Sequence, residues 1–207
     1  MCIRDRGEAT IKINLLGEFN IENVLAAFTV LCISGASIEA VATTLSSFNG
    51  LPGRMEVFSS EDKPLIVVDY AHTPDALEKA LTGLKPYCKG QLFCVFGCGG
   101  GRDVGKRTQM GSIAESLSDK IILTNDNPRD ELPEQIFENI LKGIENKSKV
   151  IVKEDRSDAL ISTFLEAKKD DVILLAGKGH EITQQIGSNT LPFSDRELAK
   201  RLTEEHT

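Results

Sequence analysis

IILTNDNPRDELP (residues 121–133) decides the fold, because it joins an apolar run to a dense polar loop. The uninterrupted apolar residues 121–123 predict a β-strand that is buried on both faces. The polar loop begins at Asp126, close behind that strand, and open α/β sheets bind their ligands at the carboxyl ends of their strands. The stretch therefore predicts an α/β fold with a binding loop at one edge of its sheet.

Apolar runs of the same kind recur along the chain and alternate with helical patterns. The predicted strands cover residues 65–68, 92–96, 121–123, 150–152 and 172–175. Between them, apolar residues recur at helical spacing, and Thr73 followed by Pro74 is typical of a helix start. This alternation predicts a Rossmann-like, doubly wound and mainly parallel sheet within residues 53–207. A hairpin is predicted within residues 182–193, and a closing helix after Ser194.

Residues 7–52 follow a different pattern, with one predicted strand (residues 9–15) and two helices. Asn20 and Ser37 are typical helix caps, and apolar residues recur at helical spacing behind each of them. One strand and two helices do not close a core, so we expect this part to be the end of a larger domain. Residues 1–6 (MCIRDR) match what a sequencing adapter would encode, and we expect them to be an artefact at the start of a fragment.

The composition argues against several classes of function. Lys and Arg number 24 against 31 Asp and Glu, and the net charge of −7 disfavours nucleic acid and membranes as partners. Hydrophobic residues make up 41% of the chain, enough for a sizeable core. There is no apolar run that could span a bilayer and no visible signal peptide. The cysteines lack paired metal-ligand spacing, so a reduced, cytoplasmic protein is expected.

Polar side chains follow four of the predicted strands at the point where each strand ends. These segments are residues 69–72, 97–107, 126–129 and 177–181. Because the carboxyl ends of parallel strands meet at one edge of a sheet, the segments predict a single site. Within it, the planar donors of Arg129 suit a ligand carboxylate, and the carboxylate of Asp126 suits a ligand ammonium. The two residues together predict recognition of one zwitterionic amino-acid end.

GCGGGRDVGKR (residues 97–107) allows three interpretations. A match to the phosphate-binding P-loop starts at Gly100, but Arg107 stands where that motif requires Ser or Thr. The segment can also be a flexible turn before a helix. We favour a third interpretation, in which the permissive glycine backbone projects Arg102 into the cleft.

Two other segments carry titratable residues. His72 has no identifiable partner that would make it a general base, and a structural role is the simpler interpretation. In GKGHE (residues 177–181), Gly177 and Gly179 allow close backbone approach. Glu181 in the same segment either accepts a ligand ammonium or is a solvated loop charge.

The motifs GEFNIENVLAA, LPGRMEVF, VVDYAHTPDALEKAL, VFGCGGGRD, GKR, DNPR, AGKGHE and FSDRE occur in this order. That succession, from Gly7 to about Leu202, resembles the Mur ligases, and among them those that use 2,6-diaminopimelate. The resemblance implies a UDP-sugar domain, a central ATPase domain and a Rossmann-like third domain. Residues 7–52 would be the carboxyl-terminal part of the central ATP-binding domain, and residues 53–207 the whole third domain.

The resemblance also implies a reaction. ATP phosphorylates the D-glutamyl carboxylate of UDP-N-acetylmuramoyl-L-alanyl-D-glutamate, and the amine of meso-diaminopimelate attacks the acyl phosphate to form an amide. Mg²⁺ neutralises the phosphates. The family's P-loop, carbamylated lysine and magnesium ligands have no match in this chain. We therefore expect a fragment that holds no catalytic residue and does not turn over ATP.

Individual roles follow from the same resemblance. The residues that match diaminopimelate-binding positions are Arg102, Asp126, Asn127, Pro128, Arg129, Gly177 and Glu181. The nucleotide positions are Asn23 for adenine, Arg54 for phosphate and Asp69 for ribose. The arginine of DNPR marks use of diaminopimelate, because lysine lacks the second carboxylate and would leave Arg129 buried and unpaired at a cost of about 3–5 kcal/mol. L-lysine is therefore not expected to bind.

Three alternatives remain open at this point. A stand-alone amino-acid binding module would need none of the absent ATPase motifs. A folylpolyglutamate synthetase-like ligase shares the architecture, but it would read DGAHNP where this chain has DYAHTP (residues 69–74), and it has no use for DNPR. A P-loop kinase would be built on residues 100–106, and Arg107 disfavours it.

Overall fold

The structure is a computed structural model that describes residues 7–204. These residues form two compact units, one ending at Leu51 and the other beginning at Pro52. The segment expected to derive from an adapter, residues 1–6, lies outside the described residues. Within the described range, none of the helices has the length and apolar character needed to cross a membrane.

The first unit consists of two helices that pack on one another, α1 (Phe19–Ile33) and α2 (Ile38–Ser46). The Ser37 hydroxyl accepts a hydrogen bond from the Ala40 amide at 3.2 Å, so the predicted cap of α2 is confirmed. Val41 on this helix is buried. An N-cap hydroxyl satisfies an amide that has no partner inside the helix, which explains why α2 begins where it does.

Two predictions for the first unit are wrong. Residues 9–15 form no strand, and the Lys12 amide donates instead to the Ser46 hydroxyl at 3.2 Å. Asn20 does not cap α1, which begins one residue earlier, and its side chain donates to the Leu16 carbonyl at 2.7 Å. An apolar pattern becomes a strand only when it finds a partner for its backbone ladder, and residues 9–15 find none within the described chain.

The second unit is built on a six-stranded sheet. In chain order its strands are β1 (Glu56–Phe58), β2 (Leu65–Asp69), β3 (Leu92–Phe96), β4 (Lys120–Leu123), β5 (Val150–Val152) and β6 (Val172–Ala176). Their order across the sheet is β1-β2-β6-β3-β4-β5, and every pair is parallel except β1 with β2. The predicted doubly wound and mainly parallel sheet is confirmed.

Helices cover both faces of this sheet. They are α3 (Pro74–Leu84), α4 (Gly105–Leu117), α5 (Pro133–Leu141), α6 (Arg156–Glu166) and α7 (Asp195–Glu204). On one face, Leu160 of α6 and Leu198 of α7 join a buried cluster with strand residues such as Phe93 and Leu175. On the other face, α3, α4 and α5 pack on one another in sequence. Burial on both faces explains why β2, β3, β4 and β6 read as unbroken apolar runs, whereas the edge strand β5 is partly exposed.

Two smaller features complete the second unit. The predicted hairpin is confirmed, with β7 (Thr183–Ile186) antiparallel to β8 (Asn189–Pro192). The predicted cap of α3 is also confirmed, since the Thr73 hydroxyl accepts from the Ala76 amide at 3.4 Å. The sequence does not predict β1, because three residues are too few to show a period.

The strand order creates a crevice at one edge of the sheet. The chain winds in one direction from β2 to β5, and then returns through α6 to β6, which lies between β2 and β3. Ligand sites of open α/β sheets lie at such a reversal, outside the carboxyl ends of the strands. The loops after β2, β3, β4 and β6 all open on that crevice.

Candidate functional site

A cavity of about 460 Å³ lies at the carboxyl edge of the sheet. Its walls are Tyr70, His72, Thr73, Gly97, Cys98, Gly99, Arg102, Asp103, Lys106, Asp126, Asn127, Arg129, Gly177 and Glu181. These residues come from the four loops that the sequence singles out, so the predicted convergence is confirmed. Of the predicted diaminopimelate contacts, Pro128 alone is absent from the walls.

Arg129 is held in an unusual backbone conformation by the hairpin. Its φ of +54° lies in the left-handed region, which non-glycine residues rarely adopt. Its amide donates to the Gln185 carbonyl at 3.2 Å, and its carbonyl accepts from the Gly187 amide at 2.7 Å. Backbone strain of this kind is concentrated at functional sites, where surrounding structure over-determines it. The β7–β8 hairpin therefore fixes the direction in which the Arg129 side chain leaves the loop.

The expectation that Arg129 is buried and unpaired without a ligand carboxylate is wrong. The side chain is half-buried, and its Nη1 donates to the Gly100 carbonyl at 2.9 Å and to the Asn127 carbonyl at 3.4 Å. The two carbonyls compensate part of the charge, so an uncompensated buried cation is not the cost of losing a carboxylate. If Arg129 binds a ligand carboxylate, the expected cost of losing that carboxylate is therefore below 3–5 kcal/mol and nearer the ~1.5–3 kcal/mol of one charged hydrogen bond.

Asn127 and Glu181 are organised by a buried lysine that the sequence does not mark as a site residue. Lys178 has no exposed surface, and its Nζ donates to Asn127 Oδ1 at 3.1 Å and to Glu181 Oε2 at 3.0 Å. The Gln185 amide also donates to Asn127 Oδ1 at 2.9 Å, which leaves Asn127 Nδ2 to donate to Glu181 Oε2 at 2.9 Å. Glu181 is therefore an oriented acceptor at the cavity and not a solvated loop charge.

The two carboxylates of the cavity have opposite electrostatic settings. Burial raises the pKa of Asp126, although Arg156 and Lys178 oppose that rise. Burial also acts to raise the pKa of Glu181, but hydrogen bonds from Asn127 and Lys178 outweigh it, and its pKa is lowered. A ligand ammonium would offset, through its opposite charge, the desolvation cost that destabilises the ionised form of Asp126.

Gly177 has the close approach that its sequence context predicts. Its φ is +114°, and a Cβ at this position would lie 2.7 Å from Asp126 Oδ2. A side chain here would strain the backbone and would displace this carboxylate. Gly177 is thus required for the shape of the cavity, whatever occupies it.

Arg102 lies on the wall of the cavity, whereas Pro128 does not. Arg102 is exposed on the cavity wall and follows Gly101, whose φ of +62° lies in the left-handed region. This agrees with the interpretation of a guanidinium projected by permissive backbone. Pro128 is buried beneath the same loop, and a Cβ on Gly100 would lie 1.8 Å from the Pro128 carbonyl oxygen. Pro128 therefore supports the glycine loop and does not face the cavity.

The predicted nucleotide residues do not line this cavity. Arg54 stacks on Tyr70, with its Cζ 4.6 Å from the ring centroid. Asp69 Oδ2 accepts from the Met55 amide at 2.8 Å; burial raises the pKa of this carboxyl, while hydrogen bonds and Arg54 oppose that rise. Asn23 belongs to the first unit, where its exposed side chain donates to Asn20 at 3.1 Å. Arg54 and Asp69 are close enough to interact electrostatically.

The glycine segment is not a P-loop in the structure. Arg107, at the position of the hydroxyl residue, is fully buried and forms an ion pair with Glu131. The Lys106 side chain is not free to bind phosphate as a P-loop lysine does, because its Nζ donates to the His72 carbonyl at 2.8 Å. His72 Nδ1 lies 2.8 Å from the Tyr70 carbonyl oxygen, in keeping with a structural role. A kinase built on this loop is contradicted.

Behind the cavity lies a buried ion pair that joins the first residues of α6 and α7 to the end of β6. Arg156 bonds to Asp195 through Nε at 2.8 Å and through Nη2 at 2.7 Å, and both side chains are almost completely buried. Arg156 Nη2 also donates to the Ala176 carbonyl at 3.0 Å, directly before Gly177. Sequence reasoning missed Arg156, although the FSDRE motif that contains Asp195 was a signal for it.

The cysteines and carboxylates of this site offer neither a reactive thiol nor a metal centre. Burial raises the pKa of the Cys98 thiol to about 12, so it is protonated at neutral pH. Within residues 7–204, no group of three His, Cys, Asp or Glu residues is arranged to hold a metal ion.

The sequence profile of the family described as "Mur ligase, glutamate ligase domain" matches residues 53–179, which contain the loops after β2, β3 and β4. The chain belongs to the Mur ligase family. Among Mur ligases, it is 52% identical over 195 residues to the UDP-N-acetylmuramoyl-L-alanyl-D-glutamate–2,6-diaminopimelate ligase of Coxiella burnetii (strain RSA 493 / Nine Mile phase I). The ligase of the same name from Haemophilus influenzae (strain 86-028NP) is 47% identical over 193 residues.

These matches cover most of the chain but a smaller part of the relatives. The Coxiella match covers 94% of the chain and 40% of the relative, and the Haemophilus match 93% and 40%. The solved structure of a UDP-N-acetylmuramoyl-L-alanyl-D-glutamate–2,6-diaminopimelate ligase has a TM-score of 0.73 at 40% identity, and the match covers 96% of this chain and 41% of that structure's chain. The chain thus spans about 40% of the length of the Mur ligases it matches.

A likeness to folylpolyglutamate synthase is limited to the fold. The Mycobacterium tuberculosis enzyme, solved in complex with ADP and AMPPCP, has a TM-score of 0.64 at 22% identity and covers 81% of this chain. The alternative of a folylpolyglutamate synthetase-like ligase was based on shared architecture, and a common fold is sufficient to explain that shared architecture. The 2,6-diaminopimelate ligases of Coxiella and Haemophilus match at about twice that identity.

Proposed function

We propose that this chain is the amino-acid-binding part of a Mur ligase that adds meso-diaminopimelate to UDP-N-acetylmuramoyl-L-alanyl-D-glutamate. One observation carries the proposal: Arg129, Asp126 and Glu181 line the same cavity. A guanidinium beside two carboxylates suits a zwitterion, whose carboxylate and ammonium need opposite partners. The relatives at 52% and 47% identity are named 2,6-diaminopimelate ligases, which supports the choice of amino acid.

The second carboxylate of diaminopimelate gives the cavity a basis for selectivity. Arg102 and Arg129 come from different loops and both line the cavity, so two cationic groups are available to a ligand with two carboxylates. L-lysine has one carboxylate and would leave one guanidinium without its best partner. A site built to bond a polar group rejects an analogue that lacks it.

In the complete ligase, the function of this cavity is to position an amine. The amine of the bound diaminopimelate attacks an acyl phosphate that ATP forms on the D-glutamyl carboxylate, and an amide replaces the phosphate. Holding the amine in the direction of attack lowers the entropic part of the barrier. The contribution of the residues described here is binding and orientation, with no proton transfer assigned to any of them.

Three residues outside the cavity are the proposed contacts to ATP. Arg54 and Asp69 interact electrostatically beside Tyr70, which supports their assignment to phosphate and ribose. Asn23 is exposed on α1, in keeping with a contact to adenine. The partners proposed are therefore three small molecules, namely meso-diaminopimelate, the UDP-N-acetylmuramoyl dipeptide and ATP with Mg²⁺, and the proposed location is the cytoplasm.

Calorimetric titration of the 207-residue chain with meso-diaminopimelate and with L-lysine tests the proposal. We expect meso-diaminopimelate to bind about 10–100 times more tightly, which corresponds to one charged hydrogen bond. Lys200→Ala, at an exposed position of α7, is the matched control and should leave both affinities unchanged. Equal affinities for the two amino acids would contradict the proposed selectivity, and absence of binding by both would contradict the proposed site.

A further inference from the structure

The glycine loop, residues 97–102, depends on its neighbours for its shape. The Gly100 amide donates to the Asn127 carbonyl at 2.9 Å, and the backbone at Gly100 lies against the Pro128 carbonyl. A Cβ added at Gly101 would meet no atom of the described residues within 4 Å, so packing does not restrain this end of the loop. Something other than packing must hold Gly101 in its left-handed conformation.

That restraint comes from the ion pair of Arg107 and Glu131. Arg107 donates to both carboxylate oxygens of Glu131, at 2.5 Å from Nη1 and 2.8 Å from Nη2. The same Nη2 donates to the Gly99 carbonyl at 3.2 Å. Glu131 Oε2 in turn accepts from the Gly101 amide at 3.0 Å. The pair therefore bonds to the glycine loop on both sides of Gly100.

The two arginines of the cavity depend on this loop without touching the pair. Arg129 Nη1 donates to the Gly100 carbonyl at 2.9 Å, so the position of the loop fixes the position of that guanidinium. Arg102 follows Gly101 directly, and the Gly101 amide is the group that Glu131 holds. A change in the pair would consequently be transmitted to both cationic groups.

The burial of the pair suggests geometry and not stability as its main effect. The Arg107 side chain is completely buried, and its Nε has no hydrogen-bond partner among the described residues. Glu131 is 22% exposed. A buried cation with an unsatisfied donor is costly, and apolar residues often stabilise such a position equally well. Bidentate bonding, by contrast, fixes direction as well as distance.

We propose that Arg107 and Glu131 are positioning residues that set the spacing of Arg102 and Arg129, and thereby the preference for an amino acid with a second carboxylate. The inference rests on the proposed function for its ligand. It assigns a role to Arg107, the residue that prevents a P-loop interpretation, and to Glu131, which follows the DNPR segment. Neither residue lines the cavity.

The first test needs no ligand. NMR of the 207-residue chain can follow hydrogen exchange of the Gly101 amide. This exchange should become about tenfold faster in Glu131→Gln, because the charged acceptor of that amide is lost. Glu134→Gln is the matched control, because Glu134 is exposed in the first turn of α5 and lies outside the loop. An exchange rate at Gly101 that stays at the parent value would overturn the role of the pair in holding the loop.

The second test measures selectivity. In Glu131→Gln, the affinity for meso-diaminopimelate should fall about tenfold while that for L-lysine changes less, so that the ratio of the two affinities shrinks. Arg107→Lys should act in the same direction, because a point charge does not replace the planar fork. Glu131→Asp, which keeps the charge, should restore part of the ratio.

The outcomes separate this inference from the proposed function. Equal losses of affinity for both amino acids, matched by a loss of folding stability, would reduce the pair to a structural role and overturn the inference. A parent chain that does not bind meso-diaminopimelate would contradict the proposed function and the selectivity of the pair together. In that case the exchange rate of Gly101 alone decides whether the pair holds the loop.

Discussion

Asp126 and Glu181 face the same cavity, yet their pKa values shift in opposite directions. Burial raises the pKa of Asp126 from its ordinary 3.8, whereas hydrogen bonds from Asn127 and Lys178 outweigh burial at Glu181 and lower its pKa from 4.5. As the pH falls, Asp126 therefore takes up a proton at a higher pH than an ordinary aspartate, and Glu181 at a lower pH than an ordinary glutamate. A ligand ammonium needs the ionised form, so its affinity should follow Asp126.

The affinity for meso-diaminopimelate should accordingly weaken as the pH falls, and it should begin to weaken at a higher pH than an ordinary aspartate would allow. For the ligand-free chain the sign is opposite: a raised pKa means that Asp126 contributes stability below its unfolded pKa of about 3.9, and this is lost as the pH rises. Calorimetric titrations across a range of pH check the first statement. Asp126→Asn should bind weakly and without that pH dependence; a profile unchanged by Asp126→Asn would assign it to another group.

Arg129→Ala should reduce the affinity for meso-diaminopimelate about 10–100-fold, because it removes one charged hydrogen-bond partner. L-lysine should lose less, so discrimination shrinks. Arg129→Lys should recover little of it, since an ammonium cannot bond a carboxylate through two parallel donors. Competition titrations with both amino acids check this. Selectivity that survives in Arg129→Ala would show that Arg102 or other residues carry it.

At the scale of elements, helix caps determine where two of the site's flanking helices begin. Asp155 precedes α6 and accepts from the Asp158 amide at 2.9 Å, whereas Thr73 precedes α3 and accepts at the longer distance of 3.4 Å. Asp155→Ala should therefore cost about 1 kcal/mol of unfolding free energy, and Thr73→Ala about 0.5 kcal/mol. Urea denaturation of both variants measures the difference. A larger loss for Thr73→Ala would contradict the ranking by cap geometry.

Strands of the second unit were predictable from the sequence where they form unbroken apolar runs. Residues 92–96 and 150–152 agree with the observed strands β3 and β5, and the other predicted strands differ by one residue at one end. The same reasoning failed for residues 9–15 and for β1. A strand depends on its ladder partner, and neither the absence of a partner for one segment nor the presence of β2 beside the other is visible in local sequence.

At the scale of the whole molecule, Arg156 and Asp195 hold α6, α7 and the end of β6 together from within the protein. Asp195→Ala should lower the free energy of unfolding by about 3–5 kcal/mol, because it leaves Arg156 as an uncompensated buried charge. The double variant Arg156→Met with Asp195→Ala should be less damaging than Asp195→Ala alone. Thermal unfolding of both variants checks this, and an additive loss in the double variant would contradict it.

The convergence of four loops could be predicted because parallel strands place their carboxyl ends at one edge. The bonds that organise the loops could not. Lys178 orients Asn127 across 51 residues, and Arg107 bonds to Glu131 across 24 residues, and only the folded chain brings these pairs together. The hydrogen bonds of Arg129 are invisible in the sequence for the same reason, because the carbonyls that partly compensate its charge belong to two loops that only the fold brings together.

The most direct measurement is a crystal structure of this chain with meso-diaminopimelate. We expect the amino acid to occupy the cavity at the carboxyl edge of the sheet, with one carboxylate on Arg129 and an ammonium within hydrogen-bond distance of Asp126 or Glu181. A ligand bound elsewhere, or bound in this cavity without contact to Arg129, would contradict it.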